Sequence, residues 1–279
     1  MKPAVSLPFR PLERAPAATR PRRTLPPARA LRGLIVPAAL LLLWQIVTEM
    51  GIYSRGQLPA PADVLAAARQ LAAADELGLH IRASMVRVAW GFGLGALAAT
   101  LLGLAIGLSR TVEDFLAPTL QAIRAIPSLA WVPLLVLWMG IDEPPKITLV
   151  AIGVFFPVYT NLVAGIRQID RKLVEVGHAY GLQGLALTRE VLLPASLPSL
   201  LTGLRMGLAQ GWLFLVAAEL IAASRGLGFL LIDGQNTGRA DIIVMSIVLL
   251  ALIGKATDLL LQFGERRLLR WTDTYRGGA

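Results

Sequence analysis

The chain alternates long apolar segments with shorter polar ones. A helix that crosses the hydrocarbon core of a bilayer needs roughly 20 predominantly apolar residues. Segments of that kind lie at 33–50, 86–108, 113–140, 147–166, 200–222 and 242–262. Arg124 and Pro127 interrupt the third of them. The pattern predicts an all-α integral membrane protein with six transmembrane helices.

Composition agrees with a membrane protein and excludes several kinds of chemistry. Of the 279 residues, 55% are hydrophobic and 16% charged, and the mean hydropathy is +0.62; soluble domains carry about 25% charged residues. The chain has no cysteine, so disulfides, thiolate metal sites and a cysteine nucleophile are excluded. Its two histidines, His80 and His178, leave little room for histidine chemistry. We therefore expect no catalytic residue and no metal site.

The distribution of the basic residues predicts an orientation in the membrane. With the N-terminus inside, 18 Lys and Arg residues lie on the cytoplasmic side and seven on the other. Cytoplasmic loops of membrane proteins carry an excess of Lys and Arg. Both termini are thus expected in the cytoplasm. The net charge of +9 is then a topology signal, and no nucleic-acid partner is expected.

Residues 59–78 show an amphipathic pattern instead of a continuous apolar one. Pro61 and Asp63 are typical of a helix start. The residues expected on the apolar face are Val64, Leu65, Ala68 and Leu71. The segment is too polar to cross a membrane, so we expect a helix at the periplasmic membrane surface.

A polar stretch, Glu175 to Pro194, separates the fourth and fifth apolar segments. Its pattern predicts a short helix carrying Glu175, a break at Gly181, and a second helix ending at Val191 to Pro194. Gly181 is expected in a backbone conformation that residues with a Cβ disfavour. A helix–turn–helix of this kind has no apolar core of its own to bury. Its expected partner is another protein.

The spacing of this stretch resembles the "EAA" loop of binding-protein-dependent ABC importer permeases, which docks into the ATPase subunit. Val176 and Gly177 replace the two alanines of that motif. The positions expected to dock are Glu175, Val176, Gly177, Tyr180, Gly181, Val191, Leu193 and Pro194. Segments 58–67, 122–141, 155–170 and 217–236 are similar to permeases of aliphatic sulfonate, taurine, nitrate and bicarbonate importers.

The resemblance implies a MetI-like permease core of five helices plus the N-terminal span, in the bacterial inner membrane. It implies a homodimer with two cytoplasmic ABC ATPase subunits, which hold ATP and Mg, and a periplasmic solute-binding protein. No cofactor is expected in this chain.

Gly254-Lys255-Ala256-Thr257 lacks the earlier glycine and the adjacent Ser or Thr of a P-loop. Lys255 is instead expected at the membrane interface, paired with Asp258.

These expectations divide the chain into five parts. Residues 1–30 form a disordered basic cytoplasmic tail and 31–58 the first span. The periplasmic amphipathic helix takes 59–84. The permease core is expected over 85–265, with its cytoplasmic coupling loop at 167–199, and 266–279 form a second cytoplasmic tail.

Glycines four residues apart predict close helix packing. Gly203, Gly207 and Gly211 form such a row. Small residues let helix backbones approach closely in a membrane, where lipid provides no hydrophobic drive for association. We expect this row to pack against another helix, either in the same subunit or across the dimer.

Six residues are candidates for the substrate pathway or its gating: Arg124, Trp131, Asn161, Gln210, Trp212 and Glu219. An intramembrane carboxylate is costly and faces a cavity or a partner. Glu219 is assigned to gating, with the alternative of a structural pair with Arg225 or Arg239. Core packing is the alternative for the two tryptophans, and Arg124 could instead mark the cytoplasmic end of its helix.

The predicted function is ATP-driven import of a small anionic solute, such as a sulfonate, taurine or nitrate, by alternating access. A permease of the same type for a neutral aromatic or vitamin-precursor solute is the alternative. An ATP-independent channel is more distant, because a channel needs no docking loop. The chain itself is not expected to be an enzyme.

Overall fold

The computed structural model describes residues 27–271, with side chains from residue 35 onward except that of Ala222. Most of the predicted N-terminal tail and residues 272–279 lie outside the described residues. The helices are α1 Pro27–Glu49, α2 Pro61–Ala73, α3 Glu76–Leu108, α4 Arg110–Ala125, α5 Val132–Met139, α6 Glu143–Arg167, α7 Arg171–Ala179, α8 Gly184–Leu187, α9 Leu193–Ala222, α10 Leu227–Asn236 and α11 Ala240–Leu268. A 3-10 turn, Ser128–Trp131, precedes α5, and a π segment, Thr188–Leu192, joins α8 to α9.

Helix α1 belongs largely to one compact unit that ends at Trp44, and the other helices lie in a second unit, Gln45–Ala279. Four helices in the described range are long and apolar enough to cross a membrane: α3, α6, the combined α8–α9 and α11. Helix α4 and the segment through α5 form a fifth span if they are counted together. The described apolar part of α1, Ile35–Glu49, is shorter than these. The prediction of an all-α membrane protein is confirmed, and the sixth span and the orientation remain predictions.

Helix α6 occupies the centre of the second unit, between α3 and α9. Its Val150, Val154 and Val158 are fully buried. A Cβ placed on Gly207 would stand 3.1 Å from the Val154 carbonyl oxygen, and one on Gly91 would stand 2.9 Å from the Ile147 carbonyl oxygen. Because Gly207 and Gly91 have no side chain, α9 and α3 lie directly on the backbone of α6.

The predicted glycine row packs within the subunit. Gly203, Gly207 and Gly211 all face α6, over Val158 and Val154. This contact selects the first of the two arrangements that the sequence left open.

The predicted third span is broken. Ile126, which precedes Pro127, has extended backbone angles (φ −74°, ψ 124°), because a residue before proline is disfavoured in the helical region. The helices on the two sides of the break meet at 88°. Arg124 therefore lies in the last turn of α4, where a cation is favourable beside the free carbonyls.

Two boundaries near the amphipathic helix differ from the prediction. Helix α2 ends at Ala73 and α3 already begins at Glu76, well before the expected start at 86. The buried face of α2 is Ala67 and Leu71, with Val64 and Ala68 beside them. The prediction that Leu65 shares this face is wrong, because Leu65 lies outside the i, i+3, i+4, i+7 stripe and is exposed.

Candidate functional site

The predicted coupling segment begins with an exposed helix. Asp170 caps α7, its carboxylate accepting a hydrogen bond from the Lys172 amide at 2.9 Å. Glu175 pairs with Arg171 at 3.2 Å across one turn, and both side chains are largely exposed. An exposed pair of this kind adds only a few tenths of a kcal/mol, about 0.3–0.5. Glu175 is thus available to a partner.

Gly181 ends this helix in the conformation that the sequence predicted. Its φ is +79°. The Gly181 amide donates to the His178 carbonyl at 2.9 Å, and the Leu182 amide donates to the Gly177 carbonyl at 3.0 Å. These two bonds define a Schellman end, in which the residue after the last helical turn takes left-handed angles. The prediction for Gly181 is confirmed.

Gly177 lets the two helices of the segment fold against each other. It is buried, and a Cβ there would stand under 3.0 Å from the Leu187 side chain and 3.3 Å from Val191. The small residue at 177 and the aliphatic side chain at 191 therefore both belong to the contact between the two helices of the segment. Val176 points the other way and is exposed, so its departure from the alanine pattern does not disturb the packing.

Apolar side chains that remain exposed on this segment form a patch. We call it the docking surface, and its members are Leu173, Val176, Tyr180 and Leu185. Tyr180 and Leu185 are each 83% exposed. Leu173, Val176 and Tyr180 have the i, i+3, i+7 spacing of one helix face, and exposed apolar side chains grouped in this way on a polar segment are typical of a protein-interaction site.

The prediction that the second helix ends at Val191 to Pro194 is wrong. Helix α8 continues through the π segment into α9, and Gly184–Ile221 is one helix of 38 residues. In the π segment the Leu193 amide donates to the Thr188 carbonyl, five residues earlier. The wider turn accommodates Pro194, which has no amide hydrogen and would clash with the carbonyl of residue 190 in a regular α-helix.

Three of the predicted pathway residues come together around one cavity of about 510 Å³. Arg124 reaches it from α4, Asn161 from α6 and Gln210 from α9. We call it the Arg124 cavity. Its full lining is Arg124, Ser128, Ile152, Gly153, Phe156, Pro157, Thr160, Asn161, Met206, Ala209, Gln210 and Phe214.

The Arg124 cavity has a polar and an apolar part. Arg124 supplies a guanidinium, and no described carboxylate lines the cavity or forms a salt bridge with Arg124. The Asn161 amide nitrogen donates to the Pro157 carbonyl at 2.8 Å, which holds its side chain in place. Phe156 and Phe214 form the apolar part. The cavity can accommodate an anion that carries an organic group.

The other three pathway candidates lie outside the Arg124 cavity. Trp131 lines a separate apolar cavity of about 630 Å³ between α3, α4, α5 and α6. Trp212 is buried and donates from its indole nitrogen to the Thr257 hydroxyl on α11 at 3.1 Å. On α9, Trp212 and Glu219 lie about 200° and 180° around the helix from Gln210. Helix geometry therefore places both away from the cavity.

Glu219 is the centre of a buried polar cluster. Its side chain has 0% exposure and accepts hydrogen bonds from Ser84 at 2.8 Å and from the Gly228 amide at 2.8 Å. Arg87, 3% exposed, donates to it at 2.7 Å. The alternative of a structural pair for Glu219 has a different partner from the two that the sequence suggested, because Arg87, and neither Arg225 nor Arg239, forms the salt bridge in the described residues. Gating by Glu219 remains a prediction.

The cluster ties α3, α6, α9, the start of α10 and the turn before it together at one end of the unit. Arg87 on α3 also binds Glu143 on α6 in a bidentate pair, at 2.6 and 2.7 Å. It donates further to the carbonyl of Arg225, in the turn between α9 and α10, at 2.6 Å. His80 accepts from the Gly226 amide at 3.0 Å. The two buried charges of the cluster, Arg87 and Glu219, are costly to separate, whereas the Glu143 side chain is 55% exposed.

The sequence-based interpretation missed Arg87, Ser84 and Glu143. The predicted second span started at 86, so Arg87 stood at its very beginning and was counted among the seven basic residues of the non-cytoplasmic side, not as a residue of the helix interior. With α3 beginning at Glu76, Arg87 lies eleven residues into the helix and faces the same cost of burial as the glutamate in α9. That cost is the feature that would have indicated a buried pair. By contrast, the predicted pair of Lys255 and Asp258 is confirmed at 3.1 Å.

These features define a class of protein: a multi-pass helical membrane protein with a cavity between its helices and a polar helical loop that exposes apolar side chains. The chain belongs to the family of binding-protein-dependent transport system inner membrane components, whose model matches residues 91–270. It is the permease subunit of an ABC importer.

Relatives and solved structures agree with this assignment. The chain is 42% identical over 240 residues to the aliphatic sulfonates transport permease protein SsuC of Escherichia coli K12, covering 86% of this chain and 91% of the relative. It is 36% identical over 239 residues to the taurine transport system permease protein TauC of the same organism, covering 84% and 87%. A structure of the inward-facing MetNI methionine ABC transporter superposes with a TM-score of 0.53 at 20% identity, covering 72% of this chain and 96% of that one. The last comparison supports the fold alone.

Proposed function

We propose that this permease imports a small organic anion with a sulfonate-type head group. The supporting observation is the Arg124 cavity, which combines one guanidinium, two side-chain amides and an apolar wall, with no carboxylate in its described lining. Removing an anion from water costs several kcal/mol per ion unless hydrogen-bond donors replace the water. Arg124 and the Gln210 amide supply such donors, and Asn161, whose amide nitrogen donates to the Pro157 carbonyl and contacts the Met206 sulfur at 3.5 Å, can exchange the weaker sulfur contact for the anion.

The relatives narrow the class of anion. The names of two of them refer to aliphatic sulfonates and to taurine, and both kinds of molecule carry a sulfonate on a short carbon chain. The charged head and the apolar tail of an aliphatic sulfonate match the two parts of the Arg124 cavity, whereas taurine shares the sulfonate head but carries an ammonium group at its other end. A neutral aromatic solute would leave the guanidinium without a partner.

The transport cycle is proposed to depend on partners in the bacterial inner membrane. Two copies of the chain would each present a docking surface to one of two ABC ATPase subunits, which bind ATP and Mg. A periplasmic binding protein would deliver the solute. ATP binding would draw the two docking surfaces together and turn the cavity outward, and hydrolysis would reset it.

Replacing Arg124 by Gln tests the substrate proposal. Hydrogen bonds to charged groups contribute about 1.5–3 kcal/mol, so we expect sulfonate uptake by the reconstituted complex to fall about tenfold or more. Arg124→Lys should keep part of the activity, and recovery of the ATPase subunits should not change. Arg110→Gln, at the exposed opposite end of α4, is the matched control. Equal uptake by the Arg124→Gln and Arg110→Gln variants contradicts the proposal, and uptake without ATP would indicate a channel.

Replacing Gly181 by Leu tests the docking proposal. A non-glycine residue at left-handed angles costs about 1–2 kcal/mol, and Gly181 has φ +79° with no atom near its Cβ position. Strain alone should therefore distort the docking surface and reduce co-purification of the ATPase, while membrane insertion persists. Gly181→Asn should recover most of the binding, because Asn tolerates these angles. Equal recovery of the ATPase with Leu and Asn would show that the backbone conformation at 181 is irrelevant to docking.

A further inference from the structure

The apolar wall of the Arg124 cavity contains an unusually close contact between two helices. Gly153 on α6 and Phe214 on α9 both line the cavity. A Cβ built on Gly153 would stand under 3.0 Å from three atoms of the Phe214 ring. The ring therefore lies against the backbone of α6, in space that only a glycine leaves free.

Phe214 also packs against buried side chains. The ring contacts the cluster of Val132, Leu135, Leu149 and Ala218, whose members are at most 6% exposed. Protein interiors are close-packed and do not accept additional volume without strain. A ring displaced from Gly153 is therefore resisted by this cluster, and the Arg124 cavity, which Phe214 lines, offers it open space.

We propose that Phe214, held against Gly153, sets the upper size limit for the organic tail of the transported anion. This inference rests on the proposed function and extends it to the permease's own selectivity. On α9, Phe214 lies only about 40° around the helix from Gln210. A head group held by Arg124 and Gln210 would consequently direct its tail along the Phe214 ring. The permease would then reject long tails even when a binding protein delivers them.

The experiment measures ATP-driven uptake of a series of linear alkanesulfonates by proteoliposomes that contain the complete complex with its binding protein. The series includes only sulfonates that the isolated binding protein binds. Phe214→Ala should shift the longest accepted chain upward, with about a tenfold gain for the first sulfonate that the natural protein rejects, since one methylene in an apolar pocket changes specificity by about 10–200-fold. Gly153→Ala should shift the limit downward, because the ring moves into the cavity.

Matched variants separate this effect from a general loss of packing. Phe92→Ala removes a partly buried ring on α3 that does not line the cavity. Gly93→Ala adds a methyl group where no atom lies within 4 Å. Both should keep the chain-length limit of the natural protein.

The outcomes distinguish the two levels of the proposal. If the natural complex imports sulfonates but Phe214→Ala has the same chain-length limit, the size filter is wrong and the proposed function stands. If the natural complex imports no sulfonate, the proposed function is wrong and the filter is rejected with it. Should Gly153→Ala fail to assemble, the Phe214→Ala result alone decides the question.

Discussion

Replacing Arg87 by Met should destabilise the permease by about 3–5 kcal/mol, the cost of removing one partner from a buried charge pair. Arg87 is the group that joins Glu219, Glu143 and the carbonyl of Arg225. Without it Glu219 stays buried and keeps only Ser84 and the Gly228 amide as neutral donors. We expect a marked decrease in the melting temperature of the detergent-solubilised protein, measured by circular dichroism.

The control for this variant is Arg82→Met on the same helix. Arg82 is exposed, and exposed substitutions of this kind usually change stability by less than about 0.5 kcal/mol. The double variant Arg87→Met, Glu219→Leu should recover part of the lost stability, because it removes both buried charges. If the Arg87→Met and Arg82→Met proteins melt at the same temperature, the polar cluster contributes nothing to stability.

Replacing Gly207 by Leu should separate α9 from α6. A Cβ at 207 would stand 2.9 Å from the Val158 side chain and 3.1 Å from the Val154 carbonyl oxygen. Neither a branched side chain nor a backbone carbonyl of α6 can retreat far. Overpacking of this kind costs about 1–3 kcal/mol and occasionally more. We expect a lower yield of folded protein and no transport by the fraction that assembles.

Gly93→Leu provides the comparison for that result. It introduces the same side chain into another membrane helix at a position where no atom lies within 4 Å of the Cβ. Its yield and melting temperature should match those of the natural protein. A Gly207→Leu protein with normal yield and transport would show that α6 and α9 are free to separate.

Much of the fold was predictable because local rules decide it. Long apolar segments predicted the membrane helices, and Pro127 predicted a weak point in the third segment, where the helix axis turns by 88°. The spacing in the docking segment predicted the turn at Gly181, since few residues other than glycine accept its angles. The predicted helix end at Pro194 was wrong, because a π turn allows a helix to continue past a proline.

The candidate site was only partly predictable, for reasons of helix register and boundaries. Gln210 and Phe214 share a face of α9, whereas Glu219 lies on the opposite one. That distinction follows from 3.6 residues per turn and could have been drawn from the sequence. The sequence could not show which of these two faces of α9 contacts α6, because that choice depends on the side chains of three helices together. To identify Arg87 as the partner of Glu219, one would have to know where α3 begins, and apolar composition alone predicts that boundary poorly.

The unbroken helix from Gly184 to Ile221 behaves mechanically as a lever. Its 38 residues span roughly 57 Å, with the docking surface at one end and the carboxylate of Glu219 at the other. The row of Gly203, Gly207 and Gly211, which packs on α6, lies between these ends and would serve as the fulcrum. A sideways force on the docking end would then swing the far end in the opposite sense, and α3 would follow through Arg87. The displacement would thus reach the far end of the bundle by the motion of one rigid helix, without a series of side-chain rearrangements along it.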